Sequence, residues 1–159
     1  MTAHLLHQSH VGCNAFLGGI SKNYGTNLLL SDTSEYVVIE ADEFDRSFHW
    51  LSPYISVVTA TDADHLDIYG TKEAYLESFR HYTSLIRPGG ALIMRKGIEL
   101  QPDLQEGVQL YTYSKEEGDF HAENIRIGSG EIFFDYISPL GNIDAVSYTH
   151  LRAHETEAD

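Results

Sequence analysis

Two short apolar runs, each closed by carboxylates, constrain this chain more than anything else in it. Tyr36-Val37-Val38-Ile39 is followed by Glu40, Asp42, Glu43 and Asp45, and Ile55-Ser56-Val57-Val58 by Asp62, Asp64, His65 and Asp67. Runs rich in β-branched residues and bounded by polar turn residues read as buried strands. The segment between the two is long enough for a crossover, which parallel neighbours require and hairpins do not. Adjacent parallel strands bring their carboxyl ends to one edge of the sheet, where open α/β folds bind their ligands. Glu40 and His65 are then expected side by side, off neighbouring co-directional strands, as a site for a hard divalent cation.

The remaining pattern places this pair in an α/β frame. Thr2 to His10 reads as a helix with Leu5 and Leu6 inward, and it carries His4, His7 and His10 at helical spacing. A histidine stripe of this kind can bind metal, but a solvated or half-buried face explains it more simply. Cys13 to Leu17 reads as a strand stopped by Gly18-Gly19, Ser21 to Asn27 as loop, and Leu28 to Leu30 as a second strand. Arg46 to Leu51 makes a brief helix ahead of Pro53. Thr71 to Ile86 is the clearest helix, with Tyr75, Leu76, Phe79, Thr83 and Ile86 on one face. Arg87-Pro88-Gly89-Gly90 stops it, and Ala91 to Met94 resumes as a strand.

Repeated strand–helix–strand order predicts a mainly parallel sheet flanked by helices. After residue 108 the period changes to alternation. Val108 to Tyr113, Phe120 to Ile127 and Glu131 to Ile137 then predict a small antiparallel side sheet, with a hairpin at Gly128-Ser129-Gly130. From Asp144 to Asp159 the periodicity disappears. That stretch is expected to add nothing to the sheet and reads as a non-native tail, which sets the expected domain at residues 1–143.

Composition narrows the classes of partner. The 159 residues suit one domain with a real core. Ten Lys and Arg stand against 24 Asp and Glu, a formal net charge of −14. A field of that sign repels nucleic acid and anionic membranes, so neither is expected as a partner. It leaves room for a phosphate that arrives with a metal. The single cysteine, Cys13, makes neither an internal disulfide nor a Cys-rich zinc site, which fits a reducing compartment. No run approaches the ~20 apolar residues of a membrane span, and the expected location is the cytoplasm.

Each candidate residue has a plainer alternative. Acids after a strand also cap the next helix, where the helix dipole favours them, and Asp45 ahead of Arg46-Ser47-Phe48 suits that role. His65, between Asp64 and Asp67, is either a metal ligand oriented by a neighbouring carboxylate or a surface residue. Glu40, Asp62, Asp64, His65 and Asp67 could together form the O/N ligand set of a metal-dependent phosphohydrolase. The same acids could also be the solvated face of a non-catalytic module.

The two acid-rich stretches carry a resemblance. Glu40-Ala41-Asp42-Glu43-Phe44-Asp45-Arg46-Ser47-Phe48 resembles the Glu-Ala-Asp-Glu-x-Asp-x-Ser-Phe motif of the Mur ligases, and Asp64-His65-Leu66-Asp67-Ile68-Tyr69 resembles their Asp-His-Met-Asp-x-Tyr motif. Gly18-Gly19 with Gly25-Thr26-Asn27 is similar to the Gly-Gly…Gly-Thr-Asn segment of the branch that adds the first amino acid. The resemblance covers residues 1 to 143 and implies the central ATPase domain of a three-domain enzyme of peptidoglycan synthesis. It implies ATP and Mg2+ as cofactors, with UDP-N-acetylmuramate and L-alanine as substrates joined through an acyl-phosphate. By motif position Glu40 and His65 would each hold a magnesium ion. Thr26 and Asn27 would face the sugar nucleotide, and Asp42 and Asp64 would support the metal ligands.

Departures from the family pattern are equally specific. No Gly-x-x-x-x-Gly-Lys-Ser/Thr loop occurs in the chain, although that loop supplies the amides and lysine that cradle phosphates. In the family it lies just ahead of the helix that starts here, so the loop and its strand are expected to be missing, with Met1 an internal methionine. The family's Asn-x-x-Asn segment, expected shortly after Asn142, is replaced by the odd tail. Phe79 stands where many members carry a carbamylated lysine, so no lysine carbamate is expected. Ligation by this polypeptide alone is not expected.

Overall fold

The computed structural model describes residues 1–62, 65–128 and 131–149. They form two compact units, residues 1–48 and residues 49 onward.

In the first unit, helix α1 (Thr2–Gln8) precedes strands β1 (Asn14–Ser21), β2 (Thr26–Leu29) and β3 (Val37–Ile39). The strands form a mixed sheet in the order β2-β1-β3, with β1 antiparallel to β2 and parallel to β3. Ala3, Cys13, Ala15 and Leu29 make a small core, with Leu6, Leu17, Tyr24 and Val38 packed against it. Leu5, expected inward, is exposed. The histidine face is the exposed one: His4 Nδ1 lies 2.8 Å from the Tyr24 hydroxyl, and the His7 ring meets the Tyr24 ring edge-on at 5.0 Å.

Two strand limits differ from expectation. β1 extends through Gly18-Gly19 to Ser21 with a register shift against β2 between Phe16 and Ser21, so the glycines mark an irregularity inside the strand instead of its end. Thr26 and Asn27 open β2 instead of ending a loop. The turn before them relies on Gly25, whose φ of +66° suits a residue without a Cβ.

The second unit begins within a 3-10 segment that spans Phe44–Trp50. It then contains β4 (Ile55–Val58), α2 (Leu66–Tyr69), α3 (Lys72–Ser84), β5 (Ala91–Arg95), β6 (Gln109–Tyr113), β7 (His121–Gly128), β8 (Glu131–Ile137) and β9 (Ile143–Thr149). β4-β5-β6 is a wholly parallel sheet, and β7-β8-β9 is a wholly antiparallel one. The α/β class is therefore as the sequence implies, with helices, a parallel sheet and an antiparallel side sheet.

Helix α3 starts where Thr71 caps it, the hydroxyl accepting from the Ala74 amide at 3.2 Å. Its buried face carries Tyr75, Ser78, Phe79, Tyr82 and Thr83. Ser56 Oγ of β4 donates to the Tyr82 hydroxyl at 2.9 Å, which ties helix to sheet in a buried contact. Ile86 and Leu92 are fully enclosed. Beyond α3, Gly90 lets β5 approach β4: a Cβ there would stand 2.0 Å from the Tyr54 carbonyl oxygen.

Two expectations are corrected. β3 bonds to β1 and β4 to β5, and no ladder joins them among the described residues. Residues from Asp144 onward do not all leave the sheet either, because β9 pairs with β8 through the registers Glu131↔Thr149 to Tyr136↔Ile143. The edge of β8 supplied a template of unpaired amides that overrode the segment's weak pattern. The turn at Ser129-Gly130 and the stretch from His150 lie outside the described residues.

Candidate functional site

The first acid cluster is oriented by backbone amides. β3 ends beside β1 in the register Phe16↔Ile39, so Glu40 follows alongside the two glycines of β1. Its amide donates to the Phe16 carbonyl at 3.3 Å, and its Oε2 accepts from the Gly18 amide at 2.9 Å. A Cβ on Gly18 would lie 2.7 to 2.9 Å from the three carboxylate atoms of Glu40, so the glycine is what admits the acid to the strand backbone. One oxygen is thereby fixed while the exposed side chain keeps another for a ligand.

Asp42 plays the capping part that the sequence suggests for Asp45. Its Oδ1 accepts from the Phe44 amide at 2.9 Å, and its carbonyl accepts from the Phe48 amide at 2.9 Å. Asp45 lies inside the 3-10 segment, and both Asp45 (φ +53°) and Arg46 (φ +57°) are left-handed. Aspartate tolerates that region better than most residues.

The second cluster is oriented by a turn. His65 is left-handed at φ +52° and ψ +40°, and its carbonyl accepts from the amides of Ile68 and Tyr69 at 2.9 and 3.1 Å. That hooked backbone starts α2 and carries a half-buried imidazole. Asp67 is exposed in the first turn of α2. Asp64 lies outside the described residues. Among the described residues no group of three or more His, Cys, Asp and Glu side chains gathers as a metal set. Magnesium in a phosphate-transfer site needs less, because one or two carboxylates suffice when phosphates complete the sphere. Glu40, a hard oxygen donor with one oxygen already tied to an amide, fits that ion chemically.

A further site escaped the sequence reading. A pocket of about 420 Å³ opens at the carboxyl ends of β4 and β5. Thr61, Asp62, Lys72, Arg95, Lys96, Gly97, Ile98 and Glu99 line it. Lys72 pairs with Glu99, and this hydrogen bond is the main reason its ammonium is held above the ordinary lysine range. Lys96 pairs with Glu117 at 2.7 Å. The signal was present as Arg95-Lys96 directly after a strand in an acidic chain.

The helices, parallel sheet and antiparallel sheet make this an α/β protein, with acids following β3 in one unit and β4 in the other. The model of the Mur ligase middle domain matches residues 1–154, and the chain belongs to that family. It is 91% identical over 143 residues to a UDP-N-acetylmuramate–L-alanine ligase of Phocaeicola vulgatus, a match covering 90% of this chain and 31% of the relative. It is 67% identical over 140 residues to the ligase of the same name in Parabacteroides distasonis, covering 87% and 30%. Among solved structures it resembles the UDP-N-acetylmuramate–alanine ligase MurC of Thermotoga maritima, with a TM-score of 0.73 and 21% identity, covering 93% of this chain and 33% of that one. The chain thus spans about a third of the length of the curated relatives it matches. No described helix is long and apolar enough to cross a membrane.

Proposed function

We propose that this chain is the middle segment of a cytoplasmic ligase that joins L-alanine to UDP-N-acetylmuramate at the expense of ATP. In that reaction the lactyl carboxylate attacks the γ-phosphorus of ATP, the bond to the β-phosphate oxygen breaks, and an acyl-phosphate and ADP result. The alanine amine then attacks the acyl carbon, phosphate leaves, and the nitrogen gives up a proton as the amide forms. Magnesium, when bound, would neutralise charge on the phosphate oxygens. Glu40 would hold it through the oxygen not engaged by Gly18, and His65 would serve a second ion near the acyl group. Thr26 and Asn27, at the start of β2, would meet the sugar nucleotide. Asp42 would keep the segment after Glu40 in place, and Asp64 would support His65.

The observation that carries this reading is the Glu40 carboxylate seated on the Gly18 amide directly after a strand, within a segment 91% identical to a named ligase. The phosphohydrolase and inert-module alternatives have no comparable support.

The test is amide formation from ATP, L-alanine and UDP-N-acetylmuramate by a full-length ligase carrying this segment. Replacement of one electrostatic stabiliser at a reacting centre typically costs about 10²–10³ in rate. Glu40→Gln is expected to lower kcat by that order with an unchanged melting temperature. Unchanged turnover would refute the assignment. The 159-residue chain, which contains no Gly-x-x-x-x-Gly-Lys-Ser/Thr loop, is expected to form no amide by itself.

A further inference from the structure

We infer that the pocket at the carboxyl ends of β4 and β5 is an anion site that takes a small phosphate-bearing metabolite without a metal. This site does not involve Glu40, and it stands whether or not the ligase reading does. Its position is the first argument. Thr61 and Asp62 follow β4, Lys72 opens α3, and Arg95 ends β5 with Lys96 to Glu99 after it, so three elements present their chemistry to one cavity. Gly97, at φ +85°, turns the chain after β5 so that Arg95, Lys96 and Glu99 all line it.

Charge is the second argument. The chain has only 10 Lys and Arg among 159 residues and a net charge of −14, yet three of those cations line this one pocket. Their partners differ. Lys72 is engaged by Glu99 and Lys96 by Glu117, while Arg95 has no ion pair among the described residues. Asp62 and Glu99 are the acids in the lining, and Glu99 stands on Lys72 as an internal substitute for a ligand anion.

A phosphate dianion has the means to displace it. It carries more charge than one carboxylate, and the planar fork of arginine binds two of its oxygens at once. Size is the third argument. About 420 Å³ falls within the range of small-molecule pockets and exceeds what an inorganic ion fills. The lining exposes polar and apolar surface in near-equal parts, which suits a sugar, whose ring presents both hydroxyls and C–H faces.

The test is calorimetric titration of the full chain with inorganic phosphate, in EDTA and low salt so that no metal contributes. One saturable site is expected. Arg95→Gln should weaken it about tenfold, the loss expected for a charge-assisted hydrogen bond. Glu99→Gln should tighten it about threefold, since the competing exposed pair is worth little but its charge is removed. Ribose 5-phosphate should bind more tightly than inorganic phosphate, and Glu40→Gln should change neither titration. Both pocket side chains are exposed, so circular dichroism should match the parent chain in each variant. Absence of saturation, indifference to Arg95→Gln, weakening by Glu99→Gln, or sensitivity to Glu40→Gln would each overturn the inference.

Discussion

Gly18 in the first unit and Gly90 in the second are both pressed by a neighbour, but the neighbours differ in kind. Beside Gly18 stands the far end of the Glu40 side chain; beside Gly90 stands the backbone carbonyl of Tyr54. The first contact sets where a carboxylate points. The second sets whether β4 and β5 can pair, because the Ala91 amide donates to that same carbonyl at 2.9 Å. A glycine against a flexible tip can be replaced at the cost of moving the tip. One against backbone cannot, since two strands would have to separate.

That contrast can be broken by substitution. Gly90→Ala is expected to have the larger effect on stability, about 3 kcal/mol, the upper range for overpacking a rigid site. Urea unfolding checks it, and a loss below ~0.5 kcal/mol would mean the strands can part cheaply. Gly18→Ala should leave unfolding within ~1 kcal/mol of the parent because Glu40 can swing away. In a full-length ligase it should instead lower turnover about tenfold, the equivalent of one hydrogen bond to a charged group. Parent-like turnover with Gly18→Ala would show that the amide does not govern the carboxylate.

Asp42→Ala sharpens the same contrast within one cluster. Losing its hold on the Phe44 amide should cost about 1 kcal/mol, as for other capping side chains. Ligation should fall less than with Gly18→Ala. An equal fall would give Asp42 a direct part in the chemistry.

The smallest expected effect is a pH dependence in the second unit. Asp119 accepts from the Thr112 amide at 2.7 Å and from its hydroxyl at 2.9 Å, and these bonds, the amide first, hold its carboxyl below the ordinary value of 3.8. A lowered folded-state value stabilises above the unfolded one, and the contribution is lost as pH falls through the folded one. Melting temperatures between pH 5 and 2 should therefore fall slightly more for the parent than for Asp119→Asn. Parallel acid limbs would exclude Asp119 as a contributor.

Much of the fold was legible in residue order. The 3–4 spacing from Tyr75 to Ile86 marked α3, and the alternation of Phe120 to Ile137 marked the side sheet, but Val108 to Tyr113, expected in that side sheet, supplies β6 of the parallel sheet instead. Strand ends were harder to read. Gly18-Gly19 and Thr26-Asn27 carry turn chemistry, yet they lie in β1 and β2, because partners on either side of the register shift hold the two strands together. β9 was invisible for the same reason, as only β8 beside it makes the segment a strand.

For the candidate site, the motifs around Glu40 and His65 determined the family by residue identity alone. Geometry decided the rest. The amide that holds Glu40 comes from a strand 22 residues away, and the cation-lined pocket joins residues 61–62, 72 and 95–99. Local order specifies which groups a chain possesses and where its helices and strands begin. Which groups meet depends on strand pairing and register, and those depend on partners distant in the sequence.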